Sequence, residues 1–175
     1  MRNKIEELGT MHYMLITLAL VALITFILSC SSSGNNPQDT PEGTLVKYSE
    51  CKSNILDSTS NSKDCIEYQY DSISILTLKH VNAGFNCCPG KITASIEINN
   101  GTIIIKEKEQ AVGCHCDCLY DIDYRLNNVT PGMYHIVIIE PYKLNEEPLL
   151  EFDMDLNSYP SGSFCVDRWH YPWAV

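Results

Sequence analysis

The stretch from Ile92 to Lys108 constrains this chain more than any other. Ile92, Ala94, Ile96 and Ile98 alternate with Thr93, Ser95, Glu97 and Asn99, Asn100-Gly101 follows, and Ile103 and Ile105 resume the pattern. A period of two sends successive side chains to opposite faces of a strand, and Asn-Gly between two such runs suits a two-residue type I′ turn. Folding there sets Ile98 opposite Ile103, Ile96 opposite Ile105, Ser95 opposite Lys106 and Thr93 opposite Lys108. Both strands then agree on which face is wet.

The same reading extends along the chain. Leu150, Phe152, Met154 and Leu156 alternate with Glu151, Asp153 and Asp155, a half-buried strand with an acidic outer face. Pro131-Gly132 opens another, in which Tyr134, Ile136 and Ile138 share one face while Val137 and Ile139 make the other apolar, so a central strand is expected. From Ile66 to Leu78 the alternation changes near Asp71-Ser72, which indicates a strand pair or a bulge. No window beyond Cys30 carries a helical stripe. At 175 residues, 45% hydrophobic and 19% charged, the chain suits one modest domain, and the expected class is all-β, an antiparallel β-sandwich of about seven strands. Val129, Pro131, Gly132, Tyr134 and Ile136 form a segment that resembles the aliphatic-x-Pro-Gly-x-Tyr-x-aliphatic signature of prealbumin-like and carboxypeptidase-regulatory-like β-sandwiches. That resemblance bears on the fold class alone.

The first thirty residues differ in kind. Residues 13–28 run without a charge after Arg2 and Lys4, shorter than the ~20 apolar residues of a spanning helix and suited to the apolar region of a signal peptide. Ile27-Leu28-Ser29-Cys30 resembles the lipobox of bacterial lipoproteins. The resemblance implies a signal peptide over residues 1–29, cleavage before Cys30, and acylation of Cys30. Residues 31–43 lack any aliphatic or aromatic side chain and cannot bury surface, so residues 30–43 read as a lipidated cysteine and flexible tether. The folded domain is expected over residues 44–175. A lipobox before a small cysteine-rich β domain is similar to lipoproteins of Bacteroides-type bacteria. That likeness implies an extracytoplasmic, lipid-anchored protein, on the outer rather than the inner membrane. Asp57-Ser58-Thr59 and Asp71-Ser72-Ile73 match the O-glycosylation pattern of that group.

Nine cysteines less Cys30 leave Cys51, Cys65, Cys87, Cys88, Cys114, Cys116, Cys118 and Cys165. An even number outside the cytosol points to disulfides. Cys114, Cys116, Cys118, Tyr120, Ile122, Tyr124 and Leu126 share one parity, which extends an apolar face, and His115, Asp117, Asp121, Asp123 and Arg125 share the other. In an extended strand residues two apart lie about 7 Å from each other, too far to clamp one ion and at the outer limit for bridging each other. Each cysteine therefore needs a distant partner. If Cys51 closes its own loop with Cys65, then Cys87, Cys88 and Cys165 remain for Cys114, Cys116 and Cys118. A curled backbone leaves the alternative of a soft-metal site, for zinc or copper, on Cys114, His115, Cys116 and Cys118.

Twelve basic against twenty-two acidic residues give a net charge of −10, and no basic cluster offers a footprint for nucleic acid. Asp117, Asp121 and Asp123 lack the glycine and terminal glutamate of a calcium loop and read as a solvated strand face. His80, His115, His135 and His170 are scattered, and no Ser-His-Asp, HExxH or phosphate-loop motif accompanies them. The chain ends in a cluster holding Trp169, Tyr171 and Trp173. These aromatics either cap the open end of the core, with Trp169 most buried, or form a binding surface; capping is the favoured reading. The expected function is a non-catalytic binding or cell-envelope accessory role with no cofactor. The membrane, through the lipid, and an envelope protein or glycan are the expected partners, and soft-metal binding is the alternative.

Overall fold

Asn100 and Gly101 both have positive φ, 48° and 78°, as a type I′ turn requires. The strands they join pair in the register read from the sequence, with Ile98 opposite Ile103, Ile96 opposite Ile105, Ser95 opposite Lys106 and Thr93 opposite Lys108. The computed structural model describes residues 40–52, 62–71, 73–110 and 115–169. The signal segment, Cys30, most of the tether, Ser58, Ser72, Cys114, His170, Tyr171 and Trp173 lie outside the described residues. No helix among the described residues is long and apolar enough to cross a membrane.

Nine strands are described: β1 (Glu42–Tyr48), β2 (Lys63–Tyr70), β3 (Leu76–Asn86), β4 (Ile92–Asn99), β5 (Thr102–Glu109), β6 (Asp117–Asn127), β7 (Met133–Ile139), β8 (Leu150–Asp155) and β9 (Ser161–Asp167). They form a five-stranded sheet in the order β1-β6-β3-β2-β9 and a four-stranded sheet in the order β4-β5-β7-β8. The all-β, two-sheet class is as expected, with nine strands instead of about seven. One pair departs from the antiparallel expectation, because β5 and β7 run parallel. The chain leaves β5, crosses to the other sheet as β6, and returns as β7 beside β5 in the same direction, which only a crossover permits. β7 lies between β5 and β8, so it is central, although Ile139 on its outer face is 42% exposed.

Ile66, Leu76, Leu78 and Phe85 from the larger sheet and Ile103, Ile105, Ile136 and Ile138 from the smaller are all buried in one core. β3 changes its inward parity partway. Leu76, Leu78 and His80 face the core, the register with β6 shifts between His80 and Ala83, and then Ala83 and Phe85 face it. Asn82 absorbs the extra residue at a φ of 69°, its side chain donating to the Lys63 carbonyl at 2.7 Å. Asp71 shapes the β2–β3 turn by accepting the backbone N–H groups of Ile73 and Ile75 at 2.9 and 2.7 Å.

The disulfides fix pairings that the sequence leaves open, and Cys51 does not close its own loop with Cys65. Cys65 bonds Cys165, the residue directly opposite it across β2 and β9, and Cys51 bonds Cys118 on β6. Cys87 bonds Cys116, and Cys88 is also disulfide-bonded. The reason is non-local: β9 returns to the edge of β2, and β1 runs along β6, so each cysteine meets a partner that strand order selects, not its neighbour along the chain. β1 starts level with Asn127 and β9 starts beside Gln69, both at one end of the five-stranded sheet, while Arg168 and Trp169 leave at the other.

Candidate functional site

Two clusters of polar side chains stand out, one sealed between the sheets and one on the outside of the larger sheet. The sealed one is built by inward parity. Asp64 continues Ile66 on β2, His80 continues Leu76 and Leu78 on β3, Glu107 continues Ile103 and Ile105 on β5, and Arg168 continues Val166 past β9. His80 Nε2 lies 2.6 Å from Asp64 Oδ1 and its Nδ1 lies 2.7 Å from Glu107 Oε1. The Tyr124 hydroxyl donates to the same Glu107 oxygen at 2.5 Å. Arg168 donates to Asp64 Oδ2 from Nε at 3.0 Å and Nη2 at 2.6 Å, and also to Glu140 and to the Pro148 carbonyl. The side chains of Asp64, His80, Glu107, Glu140 and Arg168 have no solvent exposure.

The electrostatics follow from that sealing. Burial alone would lower the His80 pKa, but the charges and hydrogen bonds of Glu107 and Asp64 outweigh it and hold the imidazole well above its usual range. Burial raises Asp64, and His80 and Arg168 more than offset this, so its carboxylate stays below the usual range. Glu140 goes the other way, since burial and the negative charge of Asp64 push it up to about 9 against the pull of His80 and Arg168. For Tyr124, burial and then the charge and hydrogen bond of Glu107 raise the phenol well above its ordinary value. Two cations thus face Asp64 and Glu107, while Glu140 keeps its proton. Asp64, His80 and Glu140 also offer one metal-ligating atom each, all within 4.8 Å of one another.

The second cluster is a shallow groove of about 760 Å³ across the outer face of the five-stranded sheet. Every strand of that sheet contributes, with Lys47, Glu67, Lys79, Asp123, Arg125 and Ser163 among its lining residues. Three cations and two carboxylates leave this face positive by one in a chain of net charge −10. Lys47 pairs with Asp123 at 3.4 Å, and Lys79 pairs with Asp121 beside the groove at 3.2 Å.

The residues singled out by sequence fall elsewhere. Cys118 is buried as its parity requires, but Cys116 is exposed, because β6 begins only at Asp117 and the alternation does not reach back to it. Cys116 and Cys118 bond Cys87 and Cys51, so neither offers a thiolate beside the exposed His115. Asp121 and Asp123 are held by lysines on the outer face, Asp121 by Lys52 and Lys79 and Asp123 by Lys47. His135 pairs with Asp153, its cross-strand neighbour, at 2.8 Å. Trp169 is 51% exposed and so is not a buried cap, while Tyr171 and Trp173, the aromatics against which its burial is to be compared, lie outside the described residues. The physical reason is again parity: Val166 and Arg168 point inward, so Cys165, Asp167 and Trp169 point out. Sequence patterns do not single out Asp64, His80, Glu107, Glu140 and Arg168 as a group. Along the chain they stand as scattered polar positions, yet Asp64, His80 and Glu107 sit in the inward register of isoleucine and leucine runs, a signal visible in the sequence. Comparison with family models, with curated proteins and with solved structures finds no match to this chain.

Proposed function

We propose that this chain is a lipid-anchored, extracytoplasmic binding domain that engages an envelope protein or glycan through the groove on its five-stranded sheet, without catalysing a reaction. The groove carries this reading. It is the place where charged and hydroxyl side chains from five strands converge on solvent, whereas the densest set of ionisable groups is sealed and presents nothing to a substrate. A concave, hydrogen-bonding face of nearly balanced charge suits an extended polar ligand such as a glycan chain or peptide. The disulfides support an oxidising, extracytoplasmic setting. The lipobox-like segment ending in Cys30 supports the anchor, and two or more acyl chains, at roughly 0.8 kcal/mol per buried methylene, would hold the protein on a membrane almost permanently.

The test is a binding screen of the purified protein against cell-envelope polysaccharides and envelope extracts, run beside the double variant Lys79→Glu, Arg125→Glu. The expected outcome is a ligand whose affinity falls at least tenfold in the variant while the melting temperature stays within a few degrees. A ligand bound equally by both proteins would rule out the groove as the binding site.

A further inference from the structure

We propose that Asp64, His80 and Glu140 form a buried structural site for a divalent first-row transition-metal ion, zinc above all. One donor atom from each lies within 4.8 Å of the other two. A tetrahedral ion with bonds of about 2.0–2.2 Å needs its donors roughly 3.3 Å apart, so shifts of about an ångström bring all three onto one ion. One nitrogen and two carboxylate oxygens suit zinc or manganese and do not suit Cu(I).

Three features set this cluster apart from a plain salt bridge. His80 is oriented as a metal-bound histidine is: its Nδ1 faces Glu107, the Tyr124 hydroxyl fixes the same carboxylate oxygen, and Nε2 is left on the side of Asp64. Ligating imidazoles commonly give their other N–H to a carboxylate, which fixes tautomer and ring. Second, Glu140 Oε1 is buried and has no hydrogen-bond partner among the described residues. Third, Arg168 uses the oxygens that the ion does not need. Its contacts go to Asp64 Oδ2 and Glu140 Oε2, which leaves Asp64 Oδ1 and Glu140 Oε1 for coordination. On binding, the Nε2–metal bond replaces the Nε2–H bond of His80 and an oxygen–metal bond replaces the O–H bond of the Glu140 carboxyl, so two protons leave to solvent.

The role is structural because the site is closed. Asp64 and His80 come from β2 and β3 of one sheet, and Glu140 directly follows β7 of the other, so the ion staples the two layers together. This site is separate from the groove and stands or falls without it.

Full-length protein purified in detergent and stripped with chelator is warmed to just below its unfolding midpoint with excess Zn²⁺ or Co²⁺, cooled, and freed of unbound metal. The expected result is one equivalent of retained metal and a visible Co²⁺ spectrum of low coordination number. The unfolding midpoint should rise by about 5–10 °C at a hundredfold excess over Kd. Glu140→Gln, which keeps an oxygen for Arg168, should lose at least tenfold in zinc affinity. Wild-type protein that retains no metal and melts at an unchanged temperature would overturn the proposal, as would Glu140→Gln binding zinc as tightly as wild type. A sulfur-to-cobalt charge-transfer band would also overturn it by placing the ion on cysteines, and the wild-type spectrum decides even if the variant fails to fold.

Discussion

Arg168 spends its whole guanidinium on Asp64, Glu140 and the Pro148 carbonyl, with no exposure to water. Removing one partner of a buried ion pair strands the other charge in a medium that cannot solvate it. Arg168→Ala is therefore expected to destabilise the domain by about 3–5 kcal/mol in urea unfolding, although it deletes a residue only two positions beyond the last core contact of β9, Val166. Trp169→Ala should cost less than about 1 kcal/mol by the same measurement, since that ring is half exposed. Asp121 supplies a pH test. Burial raises its pKa, but the hydrogen bond and charge of Lys52, the hydrogen bond of Lys79 and the N–H of Asn82 outweigh it, so the folded value lies below the unfolded one. A depressed carboxylate stabilises above its unfolded pKa, near about 4, and loses that contribution as pH falls through the folded value. The stability gap between wild type and Asp121→Asn, about 1 kcal/mol or less for a partly exposed pair, should be full at pH 7 and shrink as the pH falls below the ordinary carboxylate range. A gap that persists at low pH would mean that Asp121 acts through packing and not through charge.

At the scale of the elements, β1 of the larger sheet packs against β4 of the smaller one. A Cβ at Gly43 would stand 2.6 Å from Ile96 Cγ2 and 3.0 Å from Ile96 Cβ, so glycine is what lets the strand lie there. Gly43→Ala should overpack this contact and lower stability by about 1–3 kcal/mol, and Gly43→Ala with Ile96→Val should recover part of it. Gly43 also shows how far the sequence can be read. The expected tether runs through residue 43, and only the pairing of Glu42 with Asn127 and of Gly43 with Leu126 across β6 reveals that both already belong to β1. The β4–β5 hairpin, the alternation of β8 and the inward face of β7 are legible because each depends on a local period and one turn. The parallel pairing of β5 with β7 is not, because it depends on β6 joining the opposite sheet, a fact no local pattern carries. The same holds for Cys65 and Cys165, one hundred residues apart in sequence and face to face in the sheet. The sealed polar network lies between these cases. His80 and Glu107 are readable as inward from their neighbours, whereas their convergence with Glu140 and Arg168 requires the fold.

For the molecule as a whole, covalent bracing complements a core of modest size. Replacing Cys65 and Cys165 together by serine removes a crosslink that closes a long loop and should cost about 2–5 kcal/mol, seen as a lower urea midpoint. β1 enters the five-stranded sheet at one end and Arg168 and Trp169 leave at the other, so strand direction puts the start of β1 and the end of β9 on opposite ends of the sheet. The function proposed for this protein requires that it be exported, cut before Cys30, acylated there, oxidised throughout, and held above a membrane with its groove open to solvent. All but the last of these steps leave a mark on the mass of the chain. Intact mass spectrometry of the protein extracted from membranes, with and without alkylation under denaturing conditions, reads those marks together. The expected species is a chain beginning at Cys30 that carries acyl groups and takes up alkylating agent only after reduction. An unacylated chain that still contains residues 1–29, or one that is alkylated without reduction, would refute the anchored and oxidised state.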